Sequence, residues 1–251
     1  MDGNLGATLG LAPFETDWFL PRYQPVRCGD WEIQVPRDVI ARGYWGPTVF
    51  MAEMPVLLRG NETWMSLTPL EVESQAIGLA AARGHVVIMG LGMGWAAAAT
   101  ALGEEVTRVT VIERDGDVLA LHETLDLFAQ LPDAARAKLH ILQGDALEWQ
   151  ADAPVDLLMP DIWLPLVSDG RVEEVRRMQA NVRAGAIYFW GQELEIARHA
   201  RAAGRVLDED GIAATIHDFG LPLIGTDYPG HAELVAVAAE RWMRDRWLPS
   251  A

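Results

Sequence analysis

Three glycines at alternate positions, Gly90, Gly92 and Gly94, follow the apolar run Val86-Val87-Ile88-Met89 and precede a helix-forming stretch. Glycine tolerates positive φ and lets a ligand approach the main chain. A helix starting at such a turn aims its free N–H groups at a polar ligand. The next apolar run ends on Glu113, 19 residues past Gly94, where an acid accepts hydrogen bonds from two ribose hydroxyls. A third run leads into Gln143-Gly144-Asp145-Ala146, which places Asp145 and Ala146 at the same sheet edge, beside an adenine amino group. The chemistry these residues suit is the binding of an adenine nucleotide or nucleoside. A dinucleotide reading fits less well, because G-x-G-x-G is tighter than G-x-G-x-x-G and Trp95 brings bulk where a pyrophosphate packs closely.

A second group is expected along the same edge. Asp161, Ile162 and Trp163 follow the fourth predicted strand, Trp190, Gln192 and Glu193 the fifth, and His217 a sixth, while Trp64 sits on an N-terminal hairpin. Asp161 and His217 are the candidate catalytic groups, since a carboxylate or an imidazole takes a proton from a nucleophile. Trp64, Trp163, Trp190 and Glu193 are the candidate substrate-binding residues, an aromatic and acidic rim suited to an amine. No metal is expected: the single cysteine, Cys28, and the scattered histidines lack ligand spacing.

The elements that must hold these residues alternate between strand and helix. Strands are predicted at 86–89, 106–112, 139–142, 156–159 and 186–190, with a closing pair at 212–217 and 234–239. Helices fall at 69–82, 95–102, 118–130, 172–181 and 193–203. Thr68, Pro69 and Glu71 read as the capping box of the first helix. Continuous apolar strands separated by helices imply an α/β fold, a Rossmann-like, mostly parallel sheet with helices on both faces. Residues 1–67 differ, with six prolines, four tryptophans and a hairpin signal at Gly60-Asn61. They are expected to form a β-rich extension or lid over a nucleotide-binding domain spanning 68–251.

Half of the 251 residues are hydrophobic, enough for a sizeable core, and no run suits a membrane span. The net charge of −16 repels phosphate backbones and argues against nucleic acid as a partner. One cysteine and the lack of a leader-like N-terminus point to the cytoplasm. Trp242 and Trp247 are candidates for a homodimer contact, or for packing on the sheet edge.

Taken together, Gly90-Leu91-Gly92-Met93-Gly94, Glu113 and Gly144-Asp145-Ala146 resemble the glycine, ribose-binding and adenine-contacting motifs of the class I S-adenosylmethionine-dependent methyltransferases. The resemblance covers about residues 76–191. It implies S-adenosylmethionine as cofactor, held by Gly90, Gly92, Gly94, Glu113, Asp145, Ala146 and Asp161, and methyl transfer to a small molecule. Ile88 stands where many members carry an acid, a departure shared by the spermidine synthase-like branch. That branch also has an N-terminal β-extension, and Asp156-Leu157-Leu158-Met159-Pro160-Asp161 resembles its fourth-strand motif, which places Asp161 at the catalytic aspartate. Leu164, Met93 and the Val72-Glu73-Ser74-Gln75 stretch stand where its polyamine-holding groups belong. Aminopropyl transfer from decarboxylated S-adenosylmethionine and a non-catalytic binding module are the alternative readings.

Overall fold

The structure, a computed structural model, describes residues 5–249. A short helix, α1 (Leu5–Thr8), precedes six strands: β1 (Val26–Cys28), β2 (Trp31–Gln34), β3 (Arg37–Arg42), β4 (Thr48–Glu53), β5 (Val56–Arg59) and β6 (Glu62–Ser66). They form an antiparallel sheet of order β1-β2-β5-β6 and a separate β3-β4 ribbon. Gly60-Asn61 closes the β5–β6 hairpin, with Arg59 opposite Glu62, and Gly60 takes the positive φ that the turn demands.

The remainder alternates as α2 (Pro69–Ala81), β7 (Gly84–Met89), α3 (Trp95–Ala101), β8 (Val106–Glu113), α4 (Gly116–Leu125), α5 (Asp133–Arg136), β9 (Leu139–Gln143), β10 (Leu157–Pro160), α6 (Arg171–Val182), β11 (Ala186–Ile187), α7 (Gln192–Ala202), α8 (Glu209–Phe219) and α9 (His231–Trp242). The five central strands are all parallel, in the order β11-β10-β7-β8-β9. This is the expected Rossmann-like arrangement. The pleat assigns successive side chains to opposite layers. Val86 and Ile88 pack with α2, α3, α4 and with Trp31, Ile33 and Leu57 of the N-terminal sheet. Val87 and Met89 pack with α6, α7, α8 and α9. Both faces are therefore covered, which is why the strands read as unbroken apolar runs.

Two predicted strands are helices. Residues 212–217 lie in α8, whose N-cap Asp208 accepts the Gly211 N–H and whose C-cap Gly220 is left-handed. Residues 234–239 lie in α9, which buries His231, Val235, Ala238 and Ala239 at helical spacing. The expected antiparallel edge is replaced by a parallel bridge between Ile187 and Leu223. The fifth strand is shorter than the 186–190 expected, although the Tyr188 and Trp190 amides still bond the carbonyls of Leu158 and Pro160. Trp242 and Trp247 pack within the chain: the Trp242 indole donates to the Tyr44 carbonyl at 2.8 Å, and Arg201 lies over the Trp247 ring at 4.4 Å. Among the described residues, no helix is long and apolar enough to cross a membrane.

Candidate active site

β7 sits between β8 and β10, so the chain leaves toward opposite edges of the sheet from this point, and a crevice opens at the carboxyl ends. Gly90 lies at its floor with φ +100°, and a Cβ there would run into the Asp161 carbonyl. The residue must be glycine for the two loops to approach. The cleft holds about 290 Å³, near the low end for small-molecule sites.

One end is lined by Gly90, Leu91, Gly92, Ile112, Glu113, Gly144, Asp145, Ala146 and Leu147, so most of the expected nucleoside-binding group converges. The Glu113 carboxylate accepts the Leu91 N–H at 2.9 Å and the Asp115 N–H at 2.8 Å. Asp145 accepts the Leu147 N–H at 2.9 Å. These bonds fix both acids at the cleft, while Ile112, Ala146 and Leu147 offer an apolar surface beside them. Gly94 does not line the cleft; it caps α3 in a left-handed conformation behind the loop.

The other end is acidic and aromatic. Asp161, Trp64, Trp163 and Trp190 line it, as expected, together with Glu71 of α2. Asp161 accepts a hydrogen bond from the Gln75 amide at 2.9 Å. Burial raises the Asp161 carboxyl to about 7, opposed by the Arg171 charge and the Gln75 bond. Glu71 is held well above the usual carboxylate range, first by burial and then by the neighbouring Asp161. The two acids therefore share less than two full negative charges at neutral pH. Arg171 is fully buried behind them. It donates to the carbonyls of Pro165, Leu166 and Trp190 and lies over the Trp163 ring at 4.4 Å. It thus ties the loop after β10 to the end of β11.

Two further expected site residues lie elsewhere. His217 is on α8 with its side chain 90% exposed beside Asp218, because the segment is a surface helix and not a strand ending at the cleft. Glu193 is fully buried and does not line the cleft. It meets the hydroxyls of Tyr44 and Tyr188 at 3.2 and 2.9 Å, and burial pushes it up to about 7.

Sequence reasoning missed Glu71, Gln75, Arg171 and Trp31. Glu71 fitted a capping box, yet Thr68 makes no side-chain cap bond, and Glu71 turns into the cleft instead. Gln75, one turn further along α2, shares the helix face of Glu71, but a shared face does not by itself point to a cleft. Trp31 lines the cleft and donates to Asp115 at 2.8 Å, a partnership 84 residues distant in sequence that periodicity does not disclose.

No protein-family model matches the chain, and no curated protein matches it. Among solved structures it is similar to a DhpI–SAM–HEP complex, with 21% identity over 47% of this chain and 52% of that one, at a TM-score of 0.35. It is likewise similar to the glycopeptide N-methyltransferase MtfA complexed with (S)-adenosyl-L-homocysteine, with 20% identity over 45% and 44% of the two chains and a TM-score of 0.36. A third is the methyltransferase domain of bacterial CtHen1, with 14% identity over 43% and 59% and a TM-score of 0.33. The chain spans about half the length of these structures. Likenesses this distant carry no functional argument, and the functional reading rests on the cleft's own geometry.

Proposed function

We propose that the protein is an S-adenosylmethionine-dependent methyltransferase acting on a small molecule, with an amine as the acceptor class. One observation carries the reading: the glycine turn, Glu113 and Asp145 share a cleft at the sheet's switch point with an acid pair and three tryptophans. In this reading the donor's nucleoside lies over Gly90 and Gly92. Glu113 would hold the ribose and Asp145 the adenine, with Ala146 and Leu147 against the base. S-adenosylmethionine supplies an electrophilic methyl group on a sulfonium that is its own leaving group.

The protein's part is chiefly to align and to desolvate. Trp64, Trp163 and Trp190 would wall the acceptor and attract a cationic amine. Asp161, with Glu71 and Gln75 beside it, is the group placed to take the amine's proton. The N-terminal strands ahead of the nucleotide-binding body, and Asp161 itself, support a place in the spermidine synthase-like branch. The acid pair also favours a second reading, aminopropyl transfer, because the buried Glu71 and half-buried Asp161 suit a donor without a carboxylate of its own.

Calorimetry tests the proposal. S-adenosylhomocysteine is expected to bind in the micromolar range, and Glu113→Ala to weaken it about 30-fold, the worth of hydrogen bonds to a charged group. No binding of S-adenosylmethionine or S-adenosylhomocysteine would falsify it. Side-by-side titration with decarboxylated S-adenosylmethionine separates the two transfer reactions: tighter binding of the decarboxylated donor favours aminopropyl transfer.

A further inference from the structure

Backbone hydrogen bonds of the glycine turn can be followed residue by residue. The Gly90 N–H goes to the Ile112 carbonyl and the Gly94 N–H to the Leu91 carbonyl, both at 2.8 Å. Leu91 gives its N–H to Glu113. The two remaining residues are treated differently. Met93 gives its N–H to the thioether sulfur of Met65 at 3.2 Å, and its carbonyl receives the Tyr23 hydroxyl at 3.0 Å. The Gly92 carbonyl receives an N–H from the His122 ring at 2.9 Å. The Gly92 N–H has no partner among the described residues, and Gly92 lines the cleft.

Both clamping side chains come from the N-terminal region, far from the turn in sequence. Met65 ends the β5–β6 hairpin and also closes on Gly92, where a Cβ would meet its sulfur at 2.5 Å. Burial and the nearby Glu71 raise the Tyr23 phenol, so it stays protonated and can donate. The Trp95 indole, which opens the helix after the turn, donates to the Phe19 carbonyl at 2.8 Å. The N-terminal segment therefore makes three contacts here, two on Met93 and one on Trp95. A thioether is a weak acceptor, and satisfying a main-chain N–H with one makes sense where a stronger acceptor in the turn would compete with the ligand.

We infer that Met65 and Tyr23 are positioning residues of the cleft: they hold Met93 by both its backbone groups, leaving the Gly92 N–H as the turn's amide for an adenosyl ligand. The ligand half of this inference rests on the methyl-donor reading; the clamp is a property of the protein alone.

Three variants of the full chain test it. Met65→Leu keeps the volume and removes the acceptor; Tyr23→Phe keeps the ring and removes the hydroxyl. Trp242→Phe removes a bond of similar length at a remote place and serves as control. S-adenosylhomocysteine affinity is read by calorimetry, Met93 amide exchange by NMR, and thermal midpoint by calorimetric scan. The clamp variants are expected to weaken binding about five- to twentyfold while the midpoint moves by less than about 3 °C. Met93 exchange should quicken about tenfold in Met65→Leu, and the control should bind like wild type. Unchanged exchange, variant affinities within about twofold of wild type, or an equal loss in the control overturns the inference. A wild type that binds no adenosyl ligand overturns the donor reading and the ligand half with it, whereas wild-type binding with unaltered variants overturns the inference alone.

Discussion

Tyr188 has one phenolic hydrogen and two oxygens to satisfy. The Ser74 carbonyl, which can only accept, lies at 2.7 Å, and the Glu193 carboxyl at 2.9 Å. Both contacts are complete when Glu193 keeps its own proton and donates it to Tyr188, while Tyr44 donates to the other Glu193 oxygen. This agrees with burial pushing Glu193 up to about 7. The folded protein then holds a proton that the unfolded chain releases above its ordinary carboxylate value. Glu193 therefore costs stability as pH rises from about 4.5 to about 7, and the cost stays constant above that. Glutamine reproduces the neutral pattern, its amide donating to Tyr188 and its carbonyl accepting from Tyr44. Glu193→Gln is expected to match wild type at about pH 4 and to exceed it by about 2–3 kcal/mol at about pH 8, read by urea denaturation at the two pH values. In the proposed reaction, with Asp161 as the base, the same sign has a consequence for rate. Its carboxyl, also near 7, is a competent base only above that pH. Methyl transfer to an amine should rise through neutrality, and Asp161→Asn should abolish the rise and lower kcat about 100-fold or more; a variant with the wild-type profile would remove Asp161 from the proton's path.

The loop after β10 depends on Arg171, the first residue of α6. Its guanidinium serves three carbonyls and two indole faces from a fully buried position. Arg171→Met fills similar space but leaves those carbonyls unpaired and Asp161 without its nearby cation. A loss of about 3 kcal/mol or more is expected by denaturation. Asp208→Ala, by contrast, removes one cap bond from α8 and should cost about 1 kcal/mol. These two elements also show where the sequence was legible. The strand–glycine–helix passage at 84–101 and the hairpin at Gly60-Asn61 carry their instructions locally, in apolar runs and in backbone conformations that glycine alone adopts easily. Ile212, Ala213, Ala214, Thr215 and Ile216 read as a strand because the run is short and apolar, yet Asp208 ahead of it and Gly220 behind it are helix caps, and they prevail. Glu71 and Arg171 were not legible, because their roles come from burial against loops distant in sequence. A carboxylate on an exposed helix start and one on a cleft wall have the same local spacing.

The wall of the cleft beside Glu113 and Asp115 is built from both parts of the chain. Trp31 stacks edge-on against Trp64 at 5.2 Å and carries Arg59 over its face at 5.2 Å. It also bonds Asp115, the residue that caps α4 and binds Asp117. The cleft thus combines this aromatic and cationic wall with the Asp161–Glu71 acid pair, inside a protein of net charge −16. That charge produces a long-range field that draws cations to the surface and repels anions, and salt screens it. The acceptor class can be read from this field without knowing the acceptor's structure. If the acceptor is a cationic amine, raising ionic strength from about 20 to about 500 mM shortens the Debye length from about 20 to about 4 Å and removes the steering. The value of kcat/KM should then fall roughly fivefold while kcat, measured at saturation, stays nearly level. A neutral acceptor, such as an alcohol or phenol, experiences no such attraction, and its kcat/KM should be flat across the same range. Steady-state kinetics against paired amine and hydroxyl compounds of equal size makes the measurement. A flat salt profile for every amine turned over would exclude electrostatic capture and leave the tryptophans, by shape alone, as the basis of selection.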